Sequence, residues 1–88
     1  MDNAGNTALA RGDGRAAGDA LFALGLEHAT GPQADLVSAH KWFNLAAMQG
    51  NKEAARLRLE IAVEMSPADI AAAQRAARIW LLERSRLN

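Results

Sequence analysis

The sequence predicts an all-α fold assembled from short helical hairpins, and three observations carry that expectation. Apolar residues recur at spacings of three and four along most of the chain. Glycine- and proline-containing stops, at Gly31-Pro32 and Gly50-Asn51, divide those periodic stretches into helix-length pieces. The segments beginning at Ala20 and at Ala54 share their hairpin phase at a period of 34 residues, a length typical of stacked helix pairs.

The elements follow in order. Residues 1–6 are small and polar and are expected to fray as a flexible N-terminus, ahead of a single domain over 7–86. Thr7 is placed to cap a short helix over Ala8–Arg11, with Gly12-Asp13-Gly14 as its break. From Ala16 to Thr30 one helical stripe holds Ala17, Leu21, Leu24 and His28, and another holds Phe22, Leu26 and Ala29. A helix apolar on so much of its circumference needs cover on more than one face. The next helix spans Asp35 to Gln49, with Asp35 as N-cap and an apolar face of Ala39, Trp42, Phe43, Ala46 and Ala47. These two helices form a hairpin over 16–50.

Residues 53–65 fit two patterns. Leu57, Leu59, Ile61 and Val63 alternate as in a strand, while Ala54, Leu57, Ile61 and Met65 make a helical stripe. No partner strand exists elsewhere in the sequence, and an unpaired strand leaves its backbone unsatisfied, so helix is expected. Ser66-Pro67-Ala68-Asp69 then reads as a helix start: serine caps, and proline occupies the first position without wasting an amide. The last helix is expected over 66–86, with Ile70, Ala73, Ala77 and Trp80 or Leu81 facing inward.

Composition narrows the function classes. The 88 residues allow one domain, and alanine supplies much of an apolar half. Net charge is zero, which argues against a dedicated nucleic-acid or membrane-surface protein. Residues 1–35 hold two arginines and five carboxylates, −3, while residues 36–88 hold eight basic and five acidic groups, +3. The absence of cysteine removes disulfides, zinc fingers and thiol nucleophiles. With no membrane-length apolar run and no signal-peptide pattern, a cytoplasmic location is expected.

The residues quoted above resemble the SEL-one-like repeat family, relatives of the tetratricopeptide repeat. The family pattern opens with A-x-x-x-L-G, continues through A-x-x-W-[FY]-x-x-A-A and closes on G-[ND]. Ala20, Leu24, Gly25, Gly31, Asp35, Ala39, Trp42, Phe43, Ala46, Ala47, Gly50, Asn51 and Ala54 stand at matching positions. The resemblance covers 20–54 well and 55–65 weakly. It implies about one and a half repeats plus a C-terminal capping helix, as in small bacterial single-repeat members. His28 takes the place of the customary tyrosine, and Arg58-Leu59 stands where Leu-Gly would continue the array.

The resemblance also implies function: a non-catalytic protein-interaction module, an adaptor or regulatory scaffold. Its partner, a peptide or helix of another protein, would lie in the groove lined by the first helix of each hairpin. Carried over residue by residue, that groove is lined by Asp19, Phe22, Leu26 and Thr30, then Arg56 and Glu60. The alternative is that the last helix folds over Phe22 and Leu26 as a lid. Two further readings are self-association of two chains, and docking of an acidic partner on Arg75, Arg78 and Arg86.

Other signals are weaker. Gly12-Asp13-Gly14 through Gly18 mimics a phosphate loop but lacks the preceding strand. His28 and His40 are the two histidines, with His28 expected beside the Trp42 helix and His40 exposed. Neither they nor the scattered acids form a spacing that calls for catalysis, a metal or a cofactor.

Overall fold

The computed structural model describes the backbone of residues 2–87 and the side chains of residues 16–86. Four helices follow one another: α1 (Asp2–Ala29), α2 (Leu36–Met48), α3 (Lys52–Ala62) and α4 (Pro67–Leu87). Among the described residues the fold is all-α.

Capping chemistry sets most of the boundaries. The Asp35 carboxylate accepts from the Ser38 amide at 3.2 Å and from the Ser38 hydroxyl at 2.8 Å, which starts α2. At its other end, the Asn51 amide donates to Ala46 O at 3.1 Å and the Gly50 amide to Ala47 O at 2.9 Å. With Gly50 at φ +93° this is a Schellman motif, and a side chain at position 50 would be strained. Asn51 serves twice, since its side chain accepts from the Ala54 amide at 2.8 Å and so caps α3. Ser66 Oγ accepts from the Asp69 amide at 3.0 Å and starts α4, whose first residue is Pro67.

Two expected boundaries differ. The helix α1 runs through Gly12-Asp13-Gly14, where a break was expected, and takes in residues 2–6, expected to fray; Met1 lies outside the described residues. Glycine raises the cost of a helix by about 1 kcal/mol relative to alanine but removes no amide donor, and α1 contains no proline. At 28 residues α1 is roughly 42 Å long, about twice the length of α2, so its N-terminal half extends past the hairpin. The helix α3 stops at Ala62, so Val63 to Met65 form the connection rather than a last helical turn.

The centre of the molecule is α2. Each of α1, α3 and α4 packs along it, and the other helix pairs approach one another at a few points at most. Its Ala39, Phe43, Leu45 and Ala46 are buried, and they form one core with Leu21 of α1, Ala54 of α3 and Ala77 of α4. Small residues permit the close approaches: Gly25 of α1 lies against the Phe43 ring, and Gly18 faces Ala46 and Gln49. Ala73 and Ala77 do the same for α4, where Trp80 meets Trp42 edge-on with ring centres 5.9 Å apart. Such an aromatic pair contributes about 0.5–1.5 kcal/mol beyond its buried area.

This arrangement departs from a regular stack of hairpins, because α4 lies on α2 rather than closing a hairpin with α3. The strand alternative for 53–65 is excluded by α3, in which Ala54 is buried, Leu57 and Ile61 pack against the core, and Leu59 faces solvent.

Candidate functional site

Two regions of the surface combine exposed apolar area or concavity with polar groups. The first lies on α1 and contains the residues expected from the sequence. Phe22 is half-buried against Phe43, ring centres 5.8 Å apart, and Leu26, one turn further on, is 39% exposed. Thr30 lies just past the end of α1, where its hydroxyl donates to Leu26 O at 3.0 Å. Asp19 is exposed, and its carboxylate accepts from the Asn51 side chain at 3.3 Å, which ties α1 to the start of α3. The structure thus groups Asp19, Phe22 and Leu26 on one side of α1.

Arg56 and Glu60 are exposed on α3 and are paired with each other. Arg56 also binds Glu53, with Nε donating at 3.2 Å. That bond and the arginine's charge hold the Glu53 carboxyl below its ordinary pKa, and the same pairs raise that of Arg56. Fully solvated ion pairs of this kind contribute little to stability. Their polar partners are on α3 itself, so they are not joined to Phe22 or Leu26.

Among the described residues α4 forms no lid over Phe22 and Leu26. Trp80, Leu81 and Arg84 of α4 share a cleft of about 240 Å³ with Ala17, Ala20 and Leu21 of α1. At 3.6 residues per turn, Ala17 and Ala20 lie roughly 150° around α1 from the Asp19–Leu26 stripe. The last helix therefore covers the opposite flank. Of the residues expected to define the hairpin, Gly25, Ala39, Phe43 and Ala46 are buried; Leu24, Trp42 and Ala47 are half-buried; Ala20 is exposed; and Gly31 and Gly50 take positive φ in the two turns.

The second region was not expected. His40, thought to be exposed, is 4% exposed. It lines a cleft of about 370 Å³ where α2, α3 and α4 come together, with Asn44, Arg58, Leu59, Ile70 and Gln74 around it. Burial, and then the neighbouring Arg58 charge, lower the His40 pKa from its usual value. Its Nδ1 is buried without a hydrogen-bond partner, a state that costs about 1–3 kcal/mol. Arg58 Nη1 donates to Asn44 Oδ1 at 2.6 Å, holding the guanidinium against the wall of the cleft. Spacing held part of the signal: His40 lies seven residues before Ala47, at the edge of the expected apolar face, and cover by α3 and α4 buries it.

His28 is half-buried at the end of α1, where its carbonyl accepts from the Asp35 amide at 2.7 Å. Arg75, Arg78 and Arg86 are exposed on α4, and Ile79 and Leu82, 54% and 64% exposed, lie on the same side. Among the described residues no cluster of His, Asp or Glu is arranged to hold a metal ion, and no helix is long and apolar enough to cross a membrane. In comparisons with known proteins, no family model, no curated protein and no solved structure matches the chain.

Proposed function

We propose that this protein is a non-catalytic interaction module of the SEL-one-like repeat type, acting as an adaptor that holds a peptide or helix of a partner protein. The supporting observation is the exposed Leu26 beside half-buried Phe22, on a flank of α1 that α4 leaves open. Burying a whole leucine side chain stabilises by about 1.5–3 kcal/mol, so covering the exposed part of Leu26 adds about 1 kcal/mol to an association. Asp19 flanks the apolar pair, and the Arg56–Glu60 pair on α3 offers charges of both signs for orienting a partner.

The repeat assignment rests on the motif residues and on the Gly25–Phe43 approach that places the first two helices in contact. A second reading has its own observation: Ile79 and Leu82, flanked by Arg75, Arg78 and Arg86, form an apolar stripe with a basic border. That surface suits an acidic amphipathic helix, and its binding would weaken as salt rises. Affinity capture separates the two. Leu26→Asp should lose the partner while Leu82→Asp retains it; capture unchanged in a folded Leu26→Asp variant would defeat the main reading.

A further inference from the structure

We propose that the cleft between α2, α3 and α4 binds a small organic anion, a carboxylate or phosphomonoester with a short apolar body, through Arg58, Asn44 and Gln74.

The chemistry of the wall selects the ligand. Among the described residues Arg58 is the one charged residue lining the cleft, and neither α2 nor α4 adds a carboxylate to it. The guanidinium spends one donor, among the described residues, on Asn44 Oδ1, which leaves its others and the Asn44 NH₂ as donors for a ligand. Gln74 supplies a second amide from α4, exposed at the rim. Cationic and amide donors converging without an opposing carboxylate recognise an oxyanion, most directly through the arginine fork.

His40 and two apolar residues complete the wall. The ring is buried in the wall of the cleft and its Nδ1 is itself covered by protein, so His40 shapes the wall and does not offer that nitrogen to a ligand. Leu59 and Ile70 line the same cleft and offer apolar contact to the body of a ligand. At about 370 Å³ the space exceeds what an inorganic ion fills and falls in the range of small-molecule sites. Because an anion would favour the charged imidazole, binding should tighten as pH falls and should raise the His40 titration midpoint.

The test is an NMR titration of the full chain with phenyl phosphate, phenylacetate, inorganic phosphate and, as the uncharged control, benzyl alcohol. Saturable shifts concentrated at His40, Asn44, Arg58 and Gln74 are expected with one or both aromatic anions, and none with benzyl alcohol at equal concentration. Which anion binds more tightly distinguishes a phosphate from a carboxylate head. Arg58→Gln removes the cation, and Gln74→Glu places a carboxylate at an exposed rim position; each should weaken binding at least ten-fold while melting like the parent. Shifts that never saturate, that benzyl alcohol reproduces, or that persist unchanged in folded Gln74→Glu would overturn the assignment.

Discussion

Substituting alanine for two glycines seven residues apart on α1 should move stability in opposite directions. A Cβ at Gly25 would lie 2.4 Å from both Cδ1 and Cε1 of Phe43. That is roughly 1 Å inside the ~3.5 Å optimum for a carbon pair. The ring cannot easily withdraw, because Phe43 is 1% exposed and is also held by Phe22. Overpacking of this kind costs about 1–3 kcal/mol, and removing a helical glycine returns about 1 kcal/mol. Gly25→Ala should therefore destabilise by up to about 2 kcal/mol.

At Gly18 the nearest atom is Gln49 Cβ, 3.3 Å from the added carbon, and the next contacts are at 3.6 and 3.7 Å. Those contacts are tight to ordinary, so the propensity gain should dominate and Gly18→Ala should stabilise by about 0.5–1 kcal/mol. The two variants then differ by about 2 kcal/mol, or about 8–16 °C in Tm for a domain of this size. Thermal and urea melts followed by circular dichroism at 222 nm read this directly. Equal Tm values, or a stabilised Gly25→Ala, would mean that α1 does not press on Phe43 and that the hairpin interface is wrong.

Three further outcomes follow from the same packing. A double-mutant cycle on Trp42→Phe and Trp80→Phe, measured by urea unfolding, should give a coupling of about 0.5–1.5 kcal/mol; zero coupling would remove the contact between α2 and α4. The lowered pKa of His40 means that the unfolded chain takes up its proton first as pH falls. Stability should thus decline below about pH 6.5, the ordinary histidine value, and His40→Gln should flatten that decline. Asp35→Ala removes the cap to the Ser38 amide and should cost about 1 kcal/mol, whereas Arg56→Ala, on a fully solvated pair, should leave the melting temperature unchanged.

The ends of α2 and the start of α4 were legible because capping is local chemistry. Asp35, Gly50 and Ser66-Pro67 each satisfy or omit specific backbone groups, and the structure uses them as expected. The extent of α1 was not, since glycine at positions 12 and 14 is a cost a helix can absorb, not a steric stop. His40 stood at the edge of the apolar face beside Ala47, and only its polarity argued for exposure; Leu45 was missed for another reason. A stripe at spacings of three and four describes a helix covered on one side, but α2 is covered by three neighbours, which buries residues well outside that stripe. The position of α4 was equally hidden: the periodicity of Ile70, Ala73, Ala77 and Trp80 shows that the helix has an inner face, not which helix receives it. Of the expected docking residues, Phe22 and Leu26 share a flank, while Arg56 is taken up by Glu53 and Glu60 at the three- and four-residue spacings that a helix brings together.

The central claim, that a partner docks over the open flank of α1, is tested most directly by site-specific photo-crosslinking. A benzophenone amino acid placed at position 26 should yield one discrete adduct with a partner protein, and the same probe at position 82 should not yield it. Adducts from position 82 with none from position 26 would contradict the account.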